Sequence, residues 1–514
     1  MTLVRRAGTS VPAWTLVAGL LPLALMAVPV GYLAVRAGQA GPSGIVSDLI
    51  RPYTLGLLRN TLVLATLVTA LSTTIAVAAA WLTERCALPG AIGWRLATTL
   101  PLAMPAYVSS FAWSSLGPWF QEMPGAVLVL TLYSVPLVYL PAVAALRSLE
   151  PGFEDVARSL GTGRWGSFRR VVLPQMAPAI GGGALLVVTH MFAEFGALAF
   201  LRVETFTTAI YDQYANEFNR EAAALLSGVL VLLAMPAALG EAALRTSRQR
   251  ARLGRGAVRT PDRIALGRWK LVAMSGLALL AILGFVVPLV TLVGWMWIGR
   301  STGTGLDALL AALMTTAEFG LGGAVLTTLL AVPLVVAAAH HGGRFTNLAD
   351  RLPYLVHGLP GIVVALSAVS IALAFAPNFY QSTLLVMLVY TVLFLPLAQS
   401  AIRASADLVP AALGDVARSL GKPPLIAFLL AILPNLLPGI GAALALSTLQ
   451  MMRELTATLL LAPAGTATLA TEFWAYTSDR AYGAAAPFAL ALVLVSGLPV
   501  ALFTARSLAT GAAR

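Results

Sequence analysis

The sequence predicts an all-α polytopic membrane protein built as two pseudo-symmetric bundles, and three observations carry that prediction. Hydrophobic residues make up 59% of the 514-residue chain and charged residues only 11%, too few charges to cover the surface of a water-soluble protein of this size. Apolar runs long enough to cross about 30 Å of hydrocarbon, roughly 20 residues as helix, recur along the whole length. A loop motif occurs twice, once in each half, at the same span parity.

The runs number about twelve. In the first half they are Trp14–Arg36, Asn60–Leu82, Leu96–Trp113, Gly125–Leu146, Ala177–Leu201 and Ala222–Leu244. Those of the second are Leu271–Ile298, Met314–Ala339, Pro353–Phe375, Leu384–Ile402, Leu436–Leu461 and Ala484–Phe503. Each half thus holds about six spans: residues 1–250 form one bundle, 271–514 the other, and 251–270 a basic cytoplasmic linker. The first run follows Arg5 and Arg6, but its apolar stretch is too long for a secretory h-region, which predicts a retained signal anchor.

The formal net charge of +12 is explained by topology, without a nucleic-acid partner. With both termini cytoplasmic and every run spanning, roughly 25 of the 33 Lys and Arg fall inside, about 7 outside and one within the membrane. That asymmetry orients the chain in a bacterial inner membrane. The densest basic cluster, Arg245–Lys270, is expected to be solvated or to rest on anionic lipid. Cys86 is the sole cysteine, so neither an intrachain disulfide nor a thiol metal site can form.

The internal repeat is specific. Glu154–Pro174 reads EDVARSLGTGRWGSFRRVVLP and Gly414–Pro434 reads GDVARSLGKPPLIAFLLAILP. After the shared DVARSLG come Phe168 or Phe428, Leu173 or Leu433, Pro174 or Pro434, then Pro178 or Pro438 at identical spacing. Weaker matches pair Met104-Pro105-Ala106 with Leu359-Pro360-Gly361, and Leu140-Pro141 with Leu395-Pro396. Each loop, 151–174 and 411–434, has the make-up of two short helices lying along the membrane surface. Asp155 and Arg158, like Asp415 and Arg418, stand three apart and can pair on one face, while Val156 and Leu160 face another way. Gly161 and Gly421 can end a helix at positive φ. Phe168 and Leu173 form an apolar stripe on the second short helix, and Pro174 and Pro434 mark where the next span begins. A surface loop has no stability reason to keep such detail twice; it reads as a docking element for a partner presenting two copies.

These loops resemble the EAA loop of type I ABC-importer permeases, approximately E-A-A, three residues, Gly, a spacer, an apolar residue and Leu-Pro. The resemblance extends over both halves. It implies the type I permease fold and a separate ATPase homodimer docked on the loops, with Glu154, Asp155, Ala157, Arg158, Gly161, Phe168 and Pro174 in one and Asp415, Ala417, Arg418, Gly421, Phe428 and Pro434 in the other as coupling residues. It also implies a periplasmic or extracellular substrate-binding protein. One departure is Gly414, which stands where Glu154 supplies the acid. No G-x-x-x-x-G-K-[ST] occurs, so ATP and Mg are expected on the partner, no cofactor on this chain, and no enzymatic activity of its own.

An ionisable residue inside a span costs on the order of 2.5 to 3.5 kcal/mol and needs a polar cavity or a partner. Glu194 and Glu454 each lie 20 residues after Pro174 or Pro434, and in helices that begin near Pro178 and Pro438 both stand about 24 Å along. They read either as facing carboxylates near the mouth of a pathway for a cationic substrate, and so as candidate transient metal ligands, or as relics of duplication. In the second reading Arg453 neutralises Glu454, and Glu194 is bonded to His190 or simply protonated; His190 by itself reads as a hydrogen-bonding partner. The segments beyond hold Glu204, Tyr211, Asp212, Tyr214 and Glu217, and Glu472, Tyr476 and Asp479, oxygen donors that a hard cation accepts. Trp295, Trp297 and Trp474 read as interfacial anchors.

Among type I permeases, the strings EFGALAF, TTAIYDQYANEFNREAA and RELTATLLLAP are most similar to fused two-domain permeases of ferric-iron importers. That resemblance alone points to iron; thiamine, polyamine, sulfate and phosphonate permeases share the architecture. Two other classes remain open from the residues: an ion-coupled secondary transporter carrying protons or sodium on Glu194 and Glu454, and a membrane-embedded enzyme, for which no catalytic constellation is present.

Overall fold

The computed structural model describes residues 13–49, 51–149, 152–251, 263–299, 305–340, 343–410 and 413–512. Among them every regular element is helical, and a single β-bridge pairs Cys86 with Ile264. Part of the basic cluster, 252–262, lies outside the described residues.

The first copy runs through α1 (Ala13–Leu49), α2 (Pro52–Arg85), α3 (Ala91–Thr99), α4 (Ala106–Ser114) and α5 (Glu122–Ser148). It continues with α6 (Gly152–Ser159), α7 (Arg164–Ser167), α8 (Leu173–Ala193), α9 (Gly196–Phe200), α10 (Phe206–Ala215) and α11 (Arg220–Ala251). The second copy repeats this order. It comprises α12 (Trp269–Ala281), α13 (Val287–Ile298), α14 (Leu306–His340), α15 (Arg344–His357), α16 (Gly361–Phe375) and α17 (Thr383–Ala406). After these come α18 (Leu413–Ser419), α19 (Pro424–Ala427), α20 (Leu433–Met451), α21 (Thr456–Leu461), α22 (Leu469–Ser478) and α23 (Tyr482–Ala512).

Nine helices among the described residues are long and apolar enough to cross a membrane, and Gly361–Phe375 and Tyr482–Gly497 are shorter apolar ones. The predicted span Leu96–Trp113 is instead broken into α3, a short 3-10 turn and α4. Its counterpart Pro353–Phe375 is likewise broken between α15 and α16. The cause is the repeated Met-Pro or Leu-Pro. Pro105 and Pro360 sit at the helix starts with ψ of 140° and 139°, because proline has no N–H to continue the preceding helix and pushes the residue before it out of the α region.

The compact units of the fold do not follow the two sequence halves. One unit gathers α1, the part of α11 up to Met235 and the described chain from α14 to Ala481. At its centre α14, α17 and α20 pack on one another, with α1 laid against α14, α15 and α16. The other unit gathers α2 to Asp212, the chain from Pro236 through α13, and α23. Its centre is α2, α5 and α8, with α12 against α3, and α13 and α23 against each other. Each unit is thus the core of one copy completed by first and last spans of the other copy.

With lipid on the outside there is no hydrophobic drive between helices, so close approach and interhelical hydrogen bonds hold them. A Cβ on Gly183 of α8 would stand 2.9 Å from the Val138 Cα of α5, and one on Gly439 of α20 would stand 3.0 Å from the Ala401 carbonyl of α17. Hydroxyl pairs cross the same interfaces: Thr83 with Tyr139 at 2.9 Å, Thr327 with Thr391 at 3.0 Å, and Tyr390 with Thr458 at 2.6 Å. The opposite face of α14 shows Leu321, Val325 and Leu329 to the exterior, at the four-residue spacing of one helix face.

Candidate functional site

The two repeated loops adopt the same local structure. Helices α6 and α18 end at Gly161 and Gly421, whose φ values are 83° and 79°, the left-handed conformation the spacing predicts. On both helices the same two positions are open: Val156 and Leu160 are 58% and 78% exposed, Val416 and Leu420 56% and 75%. Ala157 turns inward instead, while Asp155 is exposed. The predicted Asp155–Arg158 and Asp415–Arg418 pairs involve the side chains of Arg158 and Asp415, which lie outside the described residues.

The expected second short helix is not separate. α7 and α19 pass through π-helical turns, Phe168–Val172 and Phe428–Ile432, straight into α8 and α20. Pro174 and Pro434 therefore lie inside continuous helices rather than at the start of new ones. Each proline lacks the N–H that would bond four residues back. The ladder shifts by one residue instead, so that the Leu173 and Leu433 amides donate to the Phe168 and Phe428 carbonyls, the π pattern. Both phenylalanines are clamped by a tryptophan of their own unit: Trp81 on Phe168 at 4.6 Å and Trp14 on Phe428 at 4.9 Å between ring centres. Each loop thus continues without a break into a spanning helix.

The loops differ where the sequence differs. Glu154 meets the buried Arg85 guanidinium at the end of α2, at 2.8 Å. Beside it, Glu84 is gripped by Arg95 at 2.7 Å and Arg147 at 3.0 Å. In the second copy Arg403 instead bridges Asp350 at 2.9 Å and Asp407 at 3.0 Å.

Glu194 and Glu454 do not sit on continuous helices as expected. Each lies just past the end of its span, and its carboxylate folds forward onto the next short helix. The Ala197 N–H donates to Glu194 Oε1 at 2.9 Å and the Ala457 N–H to Glu454 Oε1 at 3.0 Å. A helix start has amides without intrahelical partners and carries partial positive charge, so the acid stabilises the break in both copies. Glu194 is buried, with His190 Nε2 3.3 Å from its Oε2 and His190 stacked on Tyr133. Arg453 donates to the Gln450 side chain.

The breaks lead into α10 and α22, short helices that carry Tyr211, Asp212 and Tyr214 in one copy and Glu472 and Tyr476 in the other. Burial, with Tyr380 alongside, pushes the Tyr214 phenol up to about 12, so it stays protonated at neutral pH. Among the described residues no three His, Cys, Asp or Glu side chains come together. Trp297 is exposed, while the half-buried Trp295 packs on Tyr482 and donates to Ser115 at 3.0 Å.

Residues 27–244 and 330–506 match the family described as binding-protein-dependent transport system inner membrane component. The chain belongs to that family. This permease is 38% identical over 486 residues, 94% of its length and 95% of the relative's, to the Fe(3+)-transport system permease protein FbpB 2 of Haemophilus influenzae. It is 25% identical over 244 residues, 43% of its length and 88% of the relative's, to the sulfate transport system permease protein CysT of Escherichia coli. A third relative, the molybdenum transport system permease protein ModB of Escherichia coli, is 31% identical over 195 residues, 34% of the permease and 85% of that protein. The permease is a multi-pass transport subunit of an ABC importer, and its family works with an ATPase and a substrate-binding protein.

The permease also holds repeated contacts outside the fixed repeat spacing. The Phe206 amide donates to Thr61 at 3.4 Å and the Leu469 amide to Thr316 at 2.8 Å, each fixing a short helix to the first core span. Thr205 and Thr468 amides donate to Thr208 and Thr471, both at 2.9 Å. A Thr-x-x-Thr signal was present in both copies, but it lies 11 residues after Glu194 and 14 after Glu454, so a fixed repeat spacing skips it.

Proposed function

We propose that this permease is the pathway for ferric iron delivered by a periplasmic binding protein, opened alternately to each side by a homodimeric ATPase that binds ATP and Mg. The iron reading rests on the end-to-end likeness to a Fe(3+)-system permease; the sulfate and molybdenum relatives align with less than half of the chain. Both termini face the cytoplasm, as the excess of Lys and Arg on that side requires. The halves 1–250 and 271–514 each act as one permease domain, joined by 251–270. Two ATPase subunits dock one each on α6 and α18, where Val156, Leu160, Val416 and Leu420 present the apolar contacts. Gly161 and Gly421 set the chain reversal, and the Phe168 and Phe428 turns pass the motion into α8 and α20. Closure of the ATPase dimer changes the partner contacts of both loops, as a shift between two conformations requires.

Glu194 and Glu454, with His190 and Arg453 nearby, line the part of the pathway where a cation enters. The helix breaks at these carboxylates support this reading, since non-helical backbone at membrane depth is tolerated where it lines a cavity or is buried in protein. The test is uptake into proteoliposomes holding the permease, its ATPase and its binding protein. Ferric iron should accumulate only with ATP and the loaded binding protein, while sulfate and molybdate should not. Iron uptake by the permease without the ATPase would instead establish an ion-coupled carrier.

A further inference from the structure

We propose that the chain at Ile264, where the second half begins, is a strap that positions the first coupling helix through Arg85. Ile264, just past the basic cluster, pairs its backbone with the turn that ends α2: its amide donates to the Arg85 carbonyl at 2.8 Å, and its carbonyl accepts from Ala87 at 2.9 Å. These two bonds hold Cys86 between them in the parallel bridge. The residue so fixed, Arg85, is 4% exposed, and its guanidinium reaches outward to Glu154 on α6, which is 22% exposed. Strap, Arg85, Glu154 and coupling helix thus form one mechanical series inside one unit.

The arrangement has the properties a relay needs. A buried guanidinium deprived of its carboxylate is strongly unfavourable, so α6 cannot swing away from α2 without leaving Arg85 uncompensated. Glu84, the preceding residue, is held by both Arg95 and Arg147, which stops the end of α2 from rotating to follow. A backbone bridge from a linker is not needed to tether two halves, because any solvated chain of that length does so. Its placement on Arg85, which holds Glu154 of the coupling helix, gives it a different role. The second loop has Gly414 where Glu154 stands, so the strap acts on one loop, and the two coupling helices of this symmetric fold are held unequally. Arg85 and Ile264 are positioning residues. This inference rests on the coupling role proposed for α6.

The experiment uses the complete complex of permease, ATPase and binding protein in proteoliposomes and reads radio-iron taken up per ATP hydrolysed. Ile264→Pro removes the amide that donates to Arg85, Ile264→Val keeps it, and Glu154→Gln removes the charge that Arg85 holds. Ile264→Pro and Glu154→Gln should each lower the ratio about fivefold or more, the lower edge of measured coupling energies. Together they should lower it no further than the deeper of the two, since both break one series. Ile264→Val should match the unaltered protein. An unchanged ratio in Ile264→Pro, or losses that multiply in the combined variant, would overturn the strap. Should Ile264→Pro not be recovered from membranes, charge exchange decides: Arg85→Glu with Glu154→Arg should restore the ratio lost in Glu154→Arg alone, and no restoration would overturn it. A complex of unaltered protein that takes up no iron while hydrolysing ATP refutes the coupling reading itself, an outcome distinct from failure of the variants alone.

Discussion

Valine at both Gly161 and Gly421 lowers uptake per ATP at least about tenfold, with the protein still inserted and abundant. Both glycines hold φ near +80°, where an L-residue loses about 1–2 kcal/mol and a β-branched one more. An added Cβ meets nothing within 4 Å at either position, so the effect comes from backbone conformation and not from a clash in the core. The chain reversal relaxes, and the coupling helix no longer presents its exposed face to the ATPase. Asparagine, which tolerates this conformation, should keep most of the activity. Uptake, ATP hydrolysis and membrane abundance measured side by side check the prediction. Full uptake in the valine pair would remove these loops from the coupling path.

Glutamine and alanine at Glu194 and Glu454 should separate two roles that the structure superimposes. Glutamine keeps a carbonyl oxygen to accept from Ala197 and Ala457, so the short helices α9 and α21 stay capped while the charge is lost. Uptake of a ferric substrate should then fall about tenfold, the change given by about 1.4 kcal/mol of lost attraction, with abundance unchanged. Alanine removes the cap as well. Each lost bond to a charged acceptor is worth about 1.5–3 kcal/mol, so the alanine pair should also lower the amount of folded protein. Undiminished uptake in the glutamine pair, measured with radio-iron and normalised to abundance, would leave both acids as helix caps and nothing more.

Much of this fold was legible because lipid imposes simple rules on a chain. Apolar length located the spans, and the repeated DVARSLG located the twin loops with the conformation of their closing glycines. The two interrupted spans were also written in the sequence, as the Pro105 and Pro360 matches, but an apolar window averages over a single proline. The π turns follow from Pro174 and Pro434 only once the helix is known to run through them. The backbone bridge at Ile264 hid for a different reason. Arg85 and Ile264 are far apart in sequence and neither belongs to the repeat, so no spacing rule joins them. The completion of each core by the other copy's outer spans is likewise tertiary: α1 and α12 are similar apolar runs, and no local residue states which core they cover. Glu194 and Glu454 were visible as charges in apolar helices, yet their capping role required seeing the helix stop.

In the proposed mechanism α6 and α18 receive force from an external ATPase. Photo-crosslinkers placed at Leu160 and at Leu420, each well exposed on its helix, test it directly in membranes that contain the whole importer. The account predicts that both positions capture the ATPase subunit, and that the yield at each changes when ATP is trapped. Capture of no nucleotide-hydrolysing subunit from either position would contradict it.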